Sequence, residues 1–397
     1  MEKPAIAGGK PQRKIFLLPF KPQIDQNEIK EVLAVLKSGW LTTGAKTHEF
    51  QEKAKKYLKA ENVLATSSCT ASLHLSLIAS GVGAGDEVIT TPLTFVSTVN
   101  AIVHQGAIPV LVDIDKETFN IDVSKIEEKI TKKTKAIIPV DFAGLPCDLD
   151  KIIKIAKKYN LFVIEDAAHA FGSEYKGKKI GGISDFTNFS FYAAKNLTTA
   201  EGGMICAKNK KLFEKVKLYS LHGMSKDAWK RYGKGGSWRY EVLCPGYKYN
   251  MPDILSAIGV SQLAKIDGFI KRKQKIARMY EQAFSGMKEI TLQKSPKDRK
   301  HSFYLYPILI NNEFLKINRD KFIEAMKAEN IGLSVHFIPI YMHPYYKKAF
   351  NFKRKDFKNT DEIFGKIVSL PIHACMSDRD VKDVISAAQK IINYYKK

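Results

Sequence analysis

Between residues 62 and 206 the chain alternates short apolar runs with longer segments whose apolar positions repeat at helical spacing. The runs fall at 63–66, 87–90, 108–113, 136–140 and 161–166, and helical patterns at 70–79, 95–104 and 149–159 separate several of them. Short strands joined by helices predict a mostly parallel sheet with helices on both faces. Ligands of such sheets bind beyond the carboxyl ends of the strands. Upstream, residues 26–38 place Ile29, Val32, Leu33 and Leu36 on one helical face and stop at Gly39. Near Asp267 the pattern changes to a basic helix over 268–284 and a charged loop over 293–300. An alternating strand over 302–310, a helix over 319–329 and a strand over 332–337 follow. The expected fold class is α/β, with an N-terminal arm (1–25), a large domain (26–265) and a smaller α+β domain (266–397). A chain of 397 residues is longer than one core usually serves, which also favours two domains around a cleft.

Composition changes this picture little. Hydrophobic content of 45% with 26% charged residues is ordinary for a soluble globular chain. The net charge of +23 admits a nucleic-acid-binding or regulatory protein as the non-enzymatic alternative. Its lysines, however, run along the whole chain and mix with acids, as in Lys116-Glu117 and Glu127-Glu128-Lys129, which predicts a solvated surface and no nucleic-acid partner. The apolar run at 15–20 is short and contains a proline, so neither a membrane span nor a signal peptide is expected. Five scattered cysteines without a Cys-x-x-Cys pair point to reduced thiols, a cytoplasmic location and no metal site.

The chemistry concentrates in two places. Lys195 lies among small residues, with Ser190 before it and Glu201-Gly-Gly203 after it. Such a setting suits a desolvated lysine whose amine attacks a carbonyl. Asp166 ends an apolar strand about 30 residues earlier, where a carboxylate can hold a pyridinium nitrogen. Together they predict pyridoxal phosphate as the cofactor. Ser68-Cys69-Thr70-Ala71 supplies a strand-to-helix turn with N–H donors for a phosphate.

These pieces, with Gly39-Trp-Leu-Thr-Thr-Gly44, Thr91-Pro-Leu-Thr-Phe-Val96, Asp166-Ala-Ala-His169 and the run at 245–254, stand in the order found in one family. The chain resembles the DegT/DnrJ/StrS family of pyridoxal-phosphate-dependent nucleotide-sugar aminotransferases over nearly its full length. Its 222–229 and 245–254 segments look most like the branch that makes a 4-amino-4-deoxy-arabinose nucleotide. The resemblance implies a fold-type-I transferase in which Lys195 is the Schiff-base lysine and Asp166 partners the pyridine nitrogen. It implies that Cys69, Thr70, Ala71 and Ser190 hold the phosphate, that Phe95 stacks on the ring and that His169 lies near the phenolic oxygen. Cys69 replaces the family's usual glycine, and a position requiring positive φ would strain it. Lys248 or Asn250 aligns with a donor that reaches the neighbouring subunit's phosphate, which implies a homodimer with shared active sites. Thr43, Trp238, His336 and His343 are substrate-binding candidates, Trp238 within a polar insertion at 225–240. The implied substrates are glutamate, returning 2-oxoglutarate, and a nucleotide-diphosphate 4-keto sugar. Tyr192 stands where many 4-aminotransferases have histidine, so amination at carbon 3 is the alternative. A dehydratase branch replaces the Schiff-base lysine with histidine, and Lys195 argues against it.

Overall fold

The computed structural model describes residues 2–225 and 239–397. Asp25 opens the first helix, α1 (Gln26–Ser38), with a capping box to Glu28, and Gly39 closes it at φ 73°. Next come α2 (Ala45–Leu58), β1 (Asn62–Thr66), α3 (Cys69–Ala79), β2 (Glu87–Thr90), α4 (Val96–His104) and β3 (Ile108–Leu111). They lead to β4 (Thr134–Ile137), α5 (Leu149–Tyr159) and β5 (Phe162–Asp166). Two short strands, β6 (Glu174–Tyr175) and β7 (Lys178–Lys179), precede β8 (Phe186–Ser190), β9 (Gly203–Ala207), α6 (Lys210–Ser220) and the long α7 (Asp253–Phe284). The chain finishes with β10 (Ile290–Leu292), β11 (Arg299–Lys300), β12 (Tyr306–Ile310), α8 (Arg319–Ala328), α9 (Pro344–Phe350), α10 (Lys358–Phe364), β13 (Ile367–Leu370) and α11 (Asp378–Tyr395).

The main sheet has seven strands in the order β1-β9-β8-β5-β4-β2-β3. Only β9 runs antiparallel to its neighbours, and the rest of the sheet is parallel. One face packs a core that includes Phe50, Ile137, Phe171 and Phe189; the other packs Leu73, Leu77, Ile102 and Phe186. Burial on both faces explains why these strands read as continuous apolar runs. A second lobe folds around the antiparallel sheet β10-β12-β13, and its core gathers Ile308, Phe322, Val368 and Ile391. A further cluster, with Phe142 from the first lobe and Leu305 and Ile367 from the second, joins the two. The N-terminal arm lies on the second lobe: Leu17 pairs with Ile331, and Arg13 meets Asp380 and Asp383.

Several local expectations need correction. The basic helix does not begin near residue 268 but runs unbroken from Asp253 to Phe284. Its two glycines do not stop it; at Gly259 a Cβ would come within 2.8 Å of the Phe50 ring, so glycine there lets α2 and α7 approach closely. The expected boundary at 265/266 therefore falls inside α7, whose side chains up to Ile270 join the first core and from Ile276 the second. The strand expected over 302–310 is regular only from Tyr306, because residues 302–305 leave the sheet to bond Ala143 and Gly144. In place of a strand over 332–337 there are two isolated bridges, at Ile331 and Ser334. On α1, Ile29, Leu33 and Leu36 are each nearly half exposed, while Val35 is buried. Among the described residues no helix is long and apolar enough to cross a membrane.

Candidate active site

The strand ends converge on a cavity of about 280 Å³. Asp166, the last residue of β5, is 4% exposed at its wall. Its Oδ2 accepts from Thr98 Oγ1 at 2.7 Å and its Oδ1 from the Ala168 N–H at 3.1 Å. Thr94 lies 2.8 Å from the Thr98 hydroxyl, so Thr94 donates to Thr98 and Thr98 to the carboxylate. Burial raises the Asp166 carboxyl above its usual range, while those two donors and the Lys195 ammonium pull it down. The carboxylate is thus oriented and enclosed, with the cavity as its open side.

Lys195 lies in the loop between β8 and β9, its N–H bonded to the Tyr192 carbonyl. Its Nζ sits 4.2 Å from the centre of the Tyr304 ring. Burial pushes this amine down to about 8, against the opposing pull of Cys69 and Asp166. An amine in that range has a large neutral fraction near neutrality, as a nucleophile and proton carrier requires.

The register of the sheet assembles the other wall. Ser190 pairs with Gly203, and Gly203 pairs with Thr66, so the ends of β8, β9 and β1 stand side by side. A Cβ on Gly203 would lie 2.3 Å from the Ser68 carbonyl carbon, so only glycine lets β9 pass beneath the start of α3. Ser68, not Thr70, caps that helix by accepting from the Ala71 N–H at 3.1 Å. The Thr70 hydroxyl and the first N–H groups of α3 are thereby left for a ligand, and Ser68, Cys69, Thr70 and Ser190 all line the cavity. Cys69 is the first helical residue, buried and without positive φ, so its side chain carries no backbone strain.

Phe95 caps α4 at the cavity rim, 56% exposed, with its ring 5.8 Å from that of Phe337. His169 lies 4.3 Å from the Tyr304 ring, and burial, with Lys195, His336 and Lys273 nearby, holds its imidazole neutral. Its buried Nδ1 has no partner, an orphaned polar atom beside the cavity. His336 lines the cavity and meets Ser369 Oγ at 2.9 Å. A flat ring with a basic nitrogen, a phosphate arm and an aldehyde fits this set of groups: carboxylate, helix N-terminus, amine and aromatic walls.

Not every expected residue comes here. Thr43, Lys248 and Asn250 form their own group, in which Lys248 Nζ and Thr43 Oγ1 each lie 2.7 Å from the Asn250 amide. None of the three lines this cavity, nor does His343, which heads α9. Ala71 supports the cap without lining the cavity, and Trp238 lies outside the described residues. Tyr304, Phe337 and Thr98 were missed. Tyr304 was assigned to a regular strand, Phe337 likewise, and a threonine inside a helix carries no mark of its carboxylate partner.

Comparison with known proteins agrees with this arrangement. Residues 22–389 match the model of the DegT/DnrJ/EryC1/StrS aminotransferase family. The chain belongs to that family. It is 53% identical to an uncharacterized protein, MJ1066, of Methanocaldococcus jannaschii, over 96% of this chain and 99% of that one. With SpsC of Bacillus subtilis, a spore coat polysaccharide biosynthesis protein, identity is 46% over 96% of this chain and 98% of the relative. Spr1654 of Streptococcus pneumoniae, described as a sugar aminotransferase and solved in its PLP form, superposes with a TM-score of 0.88 at 33% identity, covering 96% of this chain and 99% of that one. As a member of this family the chain is a sugar aminotransferase of amino-sugar biosynthesis.

Proposed function

We propose that this aminotransferase uses pyridoxal phosphate to move an amino group from glutamate to a nucleotide-linked 4-keto sugar. The observation that carries the reading is the single cavity in which a buried carboxylate, Asp166, and a buried amine of lowered basicity, Lys195, face the start of α3. When bound, the cofactor carries the amino group and spreads the electron pair left when a substrate C–H proton departs. Thr98 and the Ala168 N–H keep Asp166 oriented to hold a proton at the pyridine nitrogen. Lys195 takes the proton from the substrate carbon and returns it to the next atom, which needs an amine that changes charge easily. Thr70, Ser190 and the α3 donors hold the phosphate. Phe95 and His169 bound the ring, and Tyr304, Phe337 and His336 shield the amine from bulk water.

A homodimer is part of this reading. The half-exposed face of α1 borders an apolar groove lined by Ile24, Ile29, Leu33, Ala193, Ala200 and Ile258, a surface of the kind that marks an interface. Lys248 and Asn250, outside their own chain's cavity, are then available as donors to the partner's phosphate. Tyr192, which resembles the 3-amino branch where many 4-aminotransferases have histidine, lines the cavity and so keeps a 3-keto substrate as the second reading. Glutamate added to the yellow protein should convert its visible band to that of the amine form. Keto-sugar nucleotides should then be offered in single turnover, with the product's amino carbon assigned by NMR. Failure of glutamate to change the band would contradict the amino donor, and an amine at carbon 3 would replace the first reading with the second.

A further inference from the structure

A second buried lysine lies beside the first. Lys273, on α7, is 5% exposed, and among the described residues no carboxylate acts on its amine. Lysines are rarely buried so deeply without one. Its Nζ donates to Asn196 Oδ1 at 2.7 Å, and Asn196 directly follows Lys195. The same Asn196 amide donates from Nδ2 to the Ser302 carbonyl at 3.4 Å, and the Ser302 hydroxyl donates to the His169 carbonyl at 3.1 Å. Lys273 Nζ also lies 5.7 Å from the centre of the Tyr304 ring, against 4.2 Å for Lys195. One buried side chain of the helix shared by both lobes therefore ties together the Lys195 loop, the Tyr304 segment and the His169 loop. The titratable groups facing it are Lys195 and the histidines His169, His301 and His373; burial, with Lys273 beside them, lowers all three imidazoles, His301 to about 3 and His373 to about 4. Its own amine is brought down to about 7 by burial and by Lys195, and it donates to Asn196 in either charge state.

We propose that Lys273 is a positioning residue for Lys195, fixing through Asn196 the main chain that presents the reactive amine and the aromatic ring on which that amine rests. This rests on the cofactor reading above. When the cofactor's aldehyde joins Lys195, the amine nitrogen adds to the aldehyde carbon and one water leaves. The amine form of the cofactor has no aldehyde and makes no such bond, so it senses the phosphate and ring contacts but not the placement of Lys195.

The test compares the two cofactor forms on the full-length protein. Lys273→Met should weaken retention of pyridoxal phosphate by about tenfold or more, the scale of losing one buried hydrogen bond to a polar partner. Affinity for pyridoxamine phosphate should fall far less, since its phosphate contacts do not pass through Lys273 and it makes no bond to Lys195. Lys273→Arg, which keeps a donor for Asn196, should recover part of the loss. Should Lys273→Met fail to fold, Asn196→Ala should show the same split. Equal weakening of both forms would reduce Lys273 to general support of the fold, and no change in either would make it a bystander; each outcome overturns the proposal. If the unaltered chain binds neither form, the cofactor reading itself fails, a result distinct from these.

Discussion

The two walls of the cavity are built by different rules. On the first-lobe wall, Asp166, Ser190, Thr70 and Phe95 each stand at or just beyond the carboxyl end of a strand in one sheet, where regular hydrogen bonding fixes their places. On the opposite wall, Tyr304, His336 and Phe337 come from irregular segments of the second lobe, held by bonds such as Leu305 N–H to the Ala143 carbonyl. The wall with regular geometry carries the proposed contacts to the pyridine nitrogen, phosphate and ring, while Lys195 stands on the loop that leaves β8. The irregular wall encloses them, and its variation changes what can enter without disturbing the chemistry. Groups proposed to hold the cofactor stand at the sheet's strand ends, and enclosing groups stand on irregular backbone of the second lobe; that is the division this comparison teaches.

Substitutions on each wall should separate these roles. Lys195→Ala should end multiple turnover, because loss of positioned proton transfer alone is worth roughly 10²–10⁴-fold and the covalent step is lost with it. Steady-state assays that still show wild-type turnover would remove Lys195 from the reaction. Asp166→Asn should cost several orders of magnitude in rate, since a neutral amide cannot hold a protonated pyridine nitrogen by charge. A near-normal rate would mean that another acid serves there.

The pH dependence of Lys195 should be next in size. With a folded value of about 8, its free-amine fraction falls about tenfold per unit as pH drops below that value and levels off above it. Acetylation of Lys195 in the amine form of the holoprotein, followed by peptide mapping, should trace that curve; a midpoint near that of an ordinary lysine would show that the cavity does not desolvate it. On the second wall, Tyr304→Leu should slow turnover by only about two- to thirtyfold, the range of a cation–aromatic contact. A loss matching Lys195→Ala would erase the distinction between the walls. Smallest of all, His343→Ala should leave cofactor retention unchanged, because that residue lies outside the cavity.

How far the sequence revealed the molecule follows the same division. The β-α alternation and the carboxylate at the end of β5 follow from local periodicity, and Lys195 is marked by its small neighbours, so the two residues that line the cavity were legible as candidates, as was the extent of α1 with its Gly39 stop. Tyr304 was not, because an alternating apolar pattern at 302–310 looks the same whether or not its first four residues stay in the sheet. What draws them away is long-range bonding to Ala143 and Gly144, which no local pattern encodes. The same limit hid the start of α7: its two glycines look like stops, and only the Phe50 ring explains why one of them is tolerated. The apolar stripe of α1 was legible too, but a stripe does not show whether its cover belongs to the same chain.

The central claim is that Lys195 is the amine that bonds the cofactor within the Asp166 cavity. Borohydride reduction of the pyridoxal-phosphate-loaded protein, followed by digestion and mass spectrometry, tests it most directly. The account predicts one phosphopyridoxyl group per chain, on the peptide carrying Lys195. A label on Lys273 or any other lysine in its place, or no stable label at all, would contradict it.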